Sequence, residues 1–221
     1  AALYLNAEMF GNKYDSYKIS PYLGPSYSEK FIEDALIECG LPFVNKEDAA
    51  LYECASTAIA NGEILGWYQE QMEFGPRALG NRSILADPRR REMKDIINAK
   101  VKFRESFRPF APIIMEEFLH EYFECEHSPY MMFTAKVRSQ EIPAVTHIDG
   151  SARIQSVSNN ENPRIHALLD AFRRKTSIPV LLNTSFNVMG EPIVCSPTDA
   201  INAFKKSGLN MLVINNYIVY K

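Results

Sequence analysis

Apolar residues recur at helical spacing in several stretches of the chain, and capping residues bound each stretch. The first predicts a helix that begins after Ser28, a good N-cap, and ends at Gly40, because glycine accepts the left-handed conformation that closes many helices. The same signs predict four more helices. One spans residues 46–61, and the others begin at Asp87-Pro88, Asn162-Pro163 and Ser196-Pro197.

Short apolar runs between these helices predict strands. The run IPVLLNTS (178–185) predicts a buried strand, and EILGWYQE (63–70) predicts another. The segment FRPFAPIIMEE (107–117) is too rich in proline for a helix and is expected to hold a short strand. Residues 130–137, 152–157 and 211–220 are further strand candidates, whereas 1–27 are expected to be an irregular lead-in. The mixture indicates an α/β or α+β fold.

Composition and charge exclude several classes of protein. The 221 residues are 46% hydrophobic and 23% charged, which is typical of a globular protein with a real core. The net charge of −3 does not indicate a nucleic-acid or membrane partner, and no apolar run approaches the 18 residues of a membrane span. Four dispersed cysteines without a C-x-x-C pair favour reduced thiols and a cytoplasmic location. The chain begins without Met, so we expect it to belong to a longer polypeptide.

Positive charge is concentrated in one part of the chain. Residues 77–108 contain ten Lys or Arg and four Asp or Glu, a local charge of +6 that leaves −9 for the remainder. A basic island in an acidic chain predicts an anionic ligand. Residues 89–91 are consecutive arginines in a predicted first helical turn, and we expect them to be solvated. Five other cations lie among glycines, prolines and aromatic residues. For these cations, phosphate binding and structural pairing with acids such as Glu73 or Glu105 are equally compatible with the sequence. They are Arg77, Arg82, Lys102, Arg104 and Arg108.

The stretch EFGPRALGNRSILADP (73–88) has the glycine spacing of a phosphate-binding P-loop but not its chemistry. Four residues lie between Gly75 and Gly80, as in a P-loop, yet the cation and the hydroxyl follow one place late. Pro76 also removes a backbone N–H that such a loop would use. Arginine side chains are therefore the expected phosphate ligands here, with Arg77 the better candidate. For Arg82, bracing of the loop through a nearby acid is equally compatible with the sequence.

Two polar clusters follow. In THIDGSARIQSV (146–157), His147 lies in a polar turn beside Asp149, and Arg153 and Gln155 alternate on one face of the next predicted strand. In LLNTSFNVMGEPIV (182–194), the buried strand delivers Asn183, Ser185 and neighbouring polar residues at its C-terminal end, where open α/β sheets bind ligands. These side chains can bind phosphoryl or carbonyl oxygens. For any one of them, however, capping of a turn explains the residue type equally well.

No standard metal or nucleotide motif is complete. His120, Cys125 and His127 fall within HEYFECEH, but their spacing matches no zinc set, so solvated histidines at a helix end are the favoured interpretation and no metal site is predicted. His166 is expected on a helix for structural reasons. The chain also has no G-x-G-x-x-G, H-E-x-x-H or G-x-S-x-G.

Four long motifs together resemble one family. MEFGPRALGNRSILADPR, VKFRESFRPFAPIIM, HIDGSARIQSV and PVLLNTSFNVMGEPIVCSPTDAI, in this order, resemble the C-terminal domain of O-carbamoyltransferases of the NodU, NolO, CmcH and TobZ type. The resemblance implies a YrdC-like fold over residues 28–221, a twisted mixed sheet with flanking helices and a concave basic nucleotide site. It also implies that 1–27 lead in from an N-terminal domain of the actin-like ATPase fold, which holds the acceptor and a metal.

The resemblance implies a function as well. Such domains bind carbamoyl phosphate and ATP, with Mg²⁺, and form carbamoyl adenylate, whose carbamoyl group passes to a hydroxyl of a sugar, nodulation factor or antibiotic-like acceptor. Two alternatives remain, a basic RNA- or nucleotide-binding module without catalysis and a scaffold that acts through its neighbouring domain. The matching positions assign catalytic roles to Lys102, Arg108 and Arg77, and ligand-binding roles to Arg153, Asn183, Ser185, Arg82 and His147.

Overall fold

A computed structural model describes residues 2–12 and 20–221, and most of its strands form one eight-stranded mixed sheet. The strand order is β1-β10-β9-β2-β3-β8-β4-β7, while β5 and β6 pair separately. The strands are β1 (Phe43–Asn45), β2 (Leu65–Tyr68), β3 (Arg82–Ala86), β4 (Ala111–Met115), β5 (Thr134–Lys136), β6 (Ser151–Arg153), β7 (Gln155–Val157), β8 (Val180–Ser185), β9 (Met211–Ile214) and β10 (Tyr217–Val219).

Helices flank this sheet, and the longer ones pack as pairs. Helix α3 packs against α6, and α2 packs against α7, so each pair covers apolar strand surface. None of the helices in the described part of the chain is long and apolar enough to cross a bilayer. The helices are α1 (Ala2–Phe10), α2 (Glu29–Cys39), α3 (Asp48–Ala60), α4 (Met93–Ile97), α5 (Leu119–Tyr122), α6 (Pro163–Thr176) and α7 (Pro197–Lys206).

The predicted capping residues begin three of these helices. The Ser28 side chain accepts a hydrogen bond from the third residue of the α2 segment, and Asn162 does the same for α6. Ser196 accepts from the Asp199 N–H at 3.1 Å, and the Asp199 carboxylate accepts from the Ser196 N–H at 2.8 Å. Gly40 closes α2 with φ +70°, as predicted. The local sequence signals therefore fixed these helix ends correctly.

The predicted start of a helix at Asp87-Pro88 was wrong. Residues 82–86 form the buried strand β3, and α4 begins only at Met93 and continues into a π-helical turn, Asn98–Lys102. Asp87 is fully buried, and its carboxylate accepts hydrogen bonds from the N and Nε of Arg89, each at 2.9 Å, and from its Nη2 at 2.6 Å. A buried carboxylate needs such a partner, so Arg89 is held outside any helix and is not simply solvated.

Other element boundaries also differ from the sequence expectation. Residues 2–10 form helix α1 and are not irregular, while 13–19 lie outside the described residues. The run 211–220 forms two antiparallel strands, β9 and β10, because Asn215 turns the chain with φ +47°. The run 152–157 likewise divides into β6 and β7, which belong to different sheets. Strand β1 was not predicted.

Strand β8 occupies a central place and carries the site at its end. It pairs antiparallel with β3 on one side and with β4 on the other. Its first four residues are buried, which confirms the predicted buried strand, and its last two are partly exposed. Polar side chains at the end of a strand held on both edges have little freedom to move, so the sheet fixes their positions.

We expect Ser196→Ala to lower the free energy of unfolding by about 1 kcal/mol, because the first turn of α7 loses its side-chain acceptor. Urea denaturation monitored by circular dichroism measures the change. Ser26→Ala, at an exposed serine outside the helices, is the control and should leave stability within experimental error. Equal effects of the two substitutions would contradict the capping role.

Candidate functional site

A cavity of about 770 Å³ opens beside the end of β8. Its walls come from the loop at 76–78, the segment 102–111, the turn at His147, the end of β6 and the segment 183–190. Glu105 is the one carboxylate among the described lining residues, so positive charge dominates the walls. The cationic lining residues are Arg77, Lys102, Arg104, Arg108 and Arg153.

The cavity brings together side chains that are far apart in the sequence. The fold places the loop of residues 76–78, the π-helical turn and the end of β8 around one space, as a shared ligand site requires. Seven of the eight predicted site residues line it. They are Arg77, Lys102, Arg108, His147, Arg153, Asn183 and Ser185.

Glu73 organises the loop that carries Arg77. Its Oε1 accepts hydrogen bonds from the N–H groups of Leu79 at 2.6 Å, Asn81 at 2.8 Å and Arg82 at 3.2 Å, and the residue is only 5% exposed. The loop can curl around this oxygen because glycine occupies position 80 with φ +105°. The amides that would hold phosphate in a P-loop therefore bind the chain's own carboxylate.

Arg82 is the predicted site residue that lies outside the cavity. Its guanidinium is buried and donates to the carbonyls of Gln69 at 2.5 Å, Asn81 at 2.9 Å and Glu70 at 3.0 Å. It also stacks over the Tyr68 ring, 3.6 Å from the centroid. Burial lowers the pKa of Arg82. The fold thus does not bring Arg82 to the cavity with the other predicted site residues, and its contacts favour the alternative in which Arg82 braces the loop, with carbonyl oxygens as its direct partners.

Lys102 projects from the π-helical turn and ties together the segment after β8. Its Nζ donates to the Ser185 carbonyl at 2.5 Å, the Asn187 Oδ1 at 2.8 Å and the Asn187 carbonyl at 3.1 Å. Burial, together with the nearby Arg104 cation, lowers the pKa of Lys102 to about 7. An anion close to Nζ would favour the ammonium form and oppose both effects.

The remaining cations repel each other across the cavity. Burial and the Arg77 cation lower the pKa of Arg153, and burial and the Arg108 cation lower that of Arg104. Arg104 is held in place by the Asn98 Oδ1 at 2.8 Å from its Nε. Cations that face one another with so few acids nearby are arranged for a polyanion.

Arg104 was grouped with the loop cations at the sequence level but was not assigned to the site. Its position two residues after Lys102, in a segment without helical periodicity, was the available signal. Asn187, one of the polar residues that follow Ser185 in LLNTSFNVMGEPIV, was not assigned to the site either, although it lines the cavity and binds Lys102.

The cavity wall also contains buried polar atoms without partners. Asn183 Nδ2 donates to the Ala78 carbonyl at 3.2 Å and to the Gln155 Oε1 at 2.9 Å. Its Oδ1, and the Nε of Arg153, have no hydrogen-bond partner among the described residues. Orphaned polar atoms in a wall of this kind are positions where a ligand can complete the hydrogen bonding.

His147 lies at the cavity edge, and its Nδ1 is 3.1 Å from the Ser151 Oγ. Burial lowers the pKa of His147, and the Arg153 cation lowers it further, whereas the Asp149 carboxylate raises it. The prediction that Arg153 and Gln155 share one face of one strand was wrong, since the chain changes sheet between them.

The histidine-rich segment HEYFECEH lies away from the cavity. The ring of His127 contacts two carboxylates, with Nδ1 2.6 Å from the Glu116 Oε1 and Nε2 3.2 Å from the Glu161 Oε1. These three residues form a cluster whose potential ligand atoms lie within 4.8 Å of one another. His127 is therefore not simply a solvated side chain. His166 lies on helix α6, as expected, and its Nε2 is 2.9 Å from the Glu117 Oε1.

These features define a mixed α/β domain with a cationic cavity beside the end of strand β8. Residues 56–221 match the family described as Carbamoyltransferase C-terminus, and the chain belongs to this family. The match confirms the family resemblance of the four sequence motifs.

Curated relatives carry the same domain in longer chains. The nodulation protein NolO of Bradyrhizobium diazoefficiens is 51% identical over 76% of this chain and 32% of its own length. The 3'-hydroxymethylcephem-O-carbamoyltransferase of Amycolatopsis lactamdurans is 41% identical over 73% of this chain and 31% of its own length. The chain thus spans about a third of the length of these relatives.

Among solved structures, full-length HypF in its phosphate- and nucleotide-bound form is similar with a TM-score of 0.53. The match covers 80% of this chain and 22% of that chain, at 16% sequence identity. This likeness confirms the predicted mixed α/β, YrdC-like fold, in which helices flank a large mixed sheet.

We expect Glu73→Ala to destabilise the fold by about 3–5 kcal/mol, because three buried N–H groups lose a charged acceptor together. Chemical denaturation measures the change. Glu92→Ala, which removes an exposed carboxylate before α4, is the control and should cost less than about 0.5 kcal/mol. A Glu73→Ala protein as stable as this control would show that the loop does not depend on the carboxylate.

We expect sulfate binding to take up as much as about one proton at pH 8, because Lys102 is mostly neutral above its pKa of about 7 and a bound anion favours its ammonium form. Affinity should accordingly fall as pH rises from 6 to 9. Calorimetry in buffers of different ionisation enthalpy measures the uptake, and sulfate itself does not titrate in this range.

Two lysine substitutions separate this effect from other titrations. Lys102→Met should abolish the uptake, whereas Lys100→Met, at an exposed lysine of the same π-helical turn, should retain it. Equal uptake by the wild-type protein and Lys102→Met would mean that another group titrates.

Proposed function

We propose that this domain binds carbamoyl phosphate and ATP in the cationic cavity and forms carbamoyl adenylate, as part of an O-carbamoyltransferase. The observation that carries the proposal is the set of five cations facing one carboxylate in a single cavity of about 770 Å³. Two polyanionic reactants repel each other strongly in such a confined space unless cations offset their charge. Family membership supports a transferase, and the nucleotide-bound HypF structure supports a nucleotide in this fold.

The proposed reaction has three steps. Water removes the phosphate of carbamoyl phosphate, which leaves carbamate and inorganic phosphate. A carbamate oxygen then attacks the α-phosphorus of ATP, and the bond to the bridging oxygen breaks, so that carbamoyl adenylate forms and pyrophosphate leaves. In the transfer step, the oxygen of an acceptor hydroxyl attacks the carbamoyl carbon, the hydroxyl loses its proton, and AMP departs. No nucleophilic protein side chain is required.

Cations in fixed positions accelerate the adenylating step. Charge grows on the non-bridging oxygens and on pyrophosphate as the α-phosphorus is attacked, and arginine suits these oxygens because its guanidinium binds two of them at once. Each well-placed contact is worth about 2–4 kcal/mol in the transition state. We assign Arg77, Lys102 and Arg108 to this role, with Arg104 as an addition, while Arg153 contacts the nucleotide phosphate.

Magnesium fits this cavity as a companion of ATP. The described lining offers Glu105 as a carboxylate ligand, which is too little for a cage built from protein alone. Mg²⁺ commonly binds through one or two carboxylates together with substrate phosphates, so Glu105 would hold it beside the triphosphate. When bound, the ion supplies additional positive charge for the phosphate oxygens.

The acceptor and its binding domain lie beyond this chain in our proposal. The relatives are about three times as long as the matched region, and we propose that a preceding N-terminal domain holds the acceptor hydroxyl and the metal of the transfer site. Residues 1–27 would then connect the two domains, and 28–221 form the adenylating domain. Cytoplasmic reaction conditions suit the free thiols of Cys39, Cys54, Cys125 and Cys195.

The direct test combines calorimetry and product release. The chain is titrated with ATP and Mg²⁺, with and without carbamoyl phosphate, and pyrophosphate release is then measured. Release that depends on carbamoyl phosphate is the expected result. Binding of neither ligand would overturn the proposal for this chain, and salt-sensitive RNA binding without ATP binding would favour the nucleic-acid alternative.

We expect Arg108→Ala and Lys102→Ala each to reduce pyrophosphate release by about 10²–10³-fold, because each removes a cation that stabilises the transition state. Circular dichroism should show that the fold is retained. Arg91→Ala removes an exposed arginine of the same basic region, outside the cavity, and should keep wild-type activity. Wild-type turnover in either cavity variant would contradict its assignment.

A further inference from the structure

A continuous chain of hydrogen bonds, half-buried at Tyr22 and buried beyond it, leads from the start of helix α6 to the cavity wall. Asn162, which caps α6, donates to the Tyr22 hydroxyl at 3.0 Å, and this hydroxyl donates to the Leu79 carbonyl at 2.8 Å. The same carbonyl accepts from Gln155 Nε2 at 2.7 Å, and Gln155 Oε1 accepts from Asn183 Nδ2 at 2.9 Å. Gln155 and Asn183 are each only 1% exposed. The chain of bonds therefore ends at Asn183 in the wall.

Two backbone carbonyls fix the orientation of both amides. The Leu79 carbonyl can only accept, so Gln155 must turn its NH₂ group toward it and its oxygen toward Asn183. Asn183 must then present its NH₂ group to Gln155 and to the Ala78 carbonyl, 3.2 Å away. The remaining atom, Asn183 Oδ1, is an acceptor without a donor among the described residues. A flip of either amide would set like groups against each other.

We propose that Gln155 is a positioning residue that holds the Asn183 oxygen ready for an N–H group of the ligand, and that this selects carbamoyl phosphate over phosphates that lack such a group. The inference rests on the proposed function and deepens it. The cationic lining recognises phosphate oxygens but cannot distinguish one acyl phosphate from another. A buried acceptor can, because a ligand with a methyl group in place of the amino group leaves that acceptor unpaired.

Two stable phosphonates provide the test. Phosphonoacetamide carries an amide NH₂ where acetonylphosphonate carries a methyl group, and both retain the phosphonate. We expect the wild-type chain to bind the amide about tenfold or more tightly in calorimetry, and Gln155→Met to reduce this preference to less than about threefold. Affinity for inorganic phosphate should stay within about twofold, because Gln155 is not a lining residue of the cavity.

Gln69→Met is the matched control, since Gln69 is also a fully buried amide but lies outside the cavity, where its Nε2 donates to the Asn215 carbonyl at 3.3 Å. This variant should keep the preference for the amide. Asn183→Ala removes the acceptor itself and should lose the preference, so the inference stays testable if Gln155→Met does not fold.

Each result has a separate meaning. A folded Gln155→Met protein that keeps the full preference would overturn the positioning role. A wild-type chain that binds both phosphonates equally well would overturn the selective acceptor, while the proposed function would stand if carbamoyl-phosphate-dependent pyrophosphate release is observed. A wild-type chain that binds no phosphonate, phosphate or ATP would overturn the proposed function, and the inference with it.

Discussion

The geometry of the site depends on a carboxylate that acts as an internal anion. Glu73 gathers three amide groups around one oxygen, and the loop that results presents Arg77 to the cavity. On its other side the same loop is held by side-chain amides, which bind the carbonyls of Ala78 and Leu79. The loop, which contains two glycines, is thus held to the sheet on both sides, so the backbone that carries Arg77 has a defined position.

This site differs from a P-loop in the groups that it offers to an anion, which are charged side chains where a P-loop uses backbone amides. Backbone amides are neutral and point to one place, whereas the cavity surrounds its ligand with charged groups from separate segments. Mutual repulsion among those groups is unfavourable for the protein, and a polyanion removes it. The same arrangement suits two phosphate-bearing reactants that must approach closely. Stability and ligand affinity therefore draw on the same electrostatic interactions.

Much of the fold and of the site could be predicted from the sequence, and the predictions that failed did so for physical reasons. Helix caps and buried strands are local features, so the bounds of α2 and β8 and the start of α6 were predicted well. The helix expected from Asp87 failed because a buried ion pair with Arg89 overrides the local signal. In the sequence, Arg82 has the same kind of neighbouring residues as Arg77. Only the tertiary fold shows that carbonyl groups surround its guanidinium. Long-range partners of this kind leave no local pattern.

The internal partners of Lys102 have a consequence for how the domain ranks its ligands. Because Nζ already donates to oxygens of Ser185 and Asn187, an incoming anion must compete with them as well as with water. A single small anion gains little from that exchange. A ligand that engages several cations at once recovers the loss through its other contacts. The cavity should therefore bind simple anions such as sulfate and phosphate weakly, and bind extended, multiply charged molecules much more tightly.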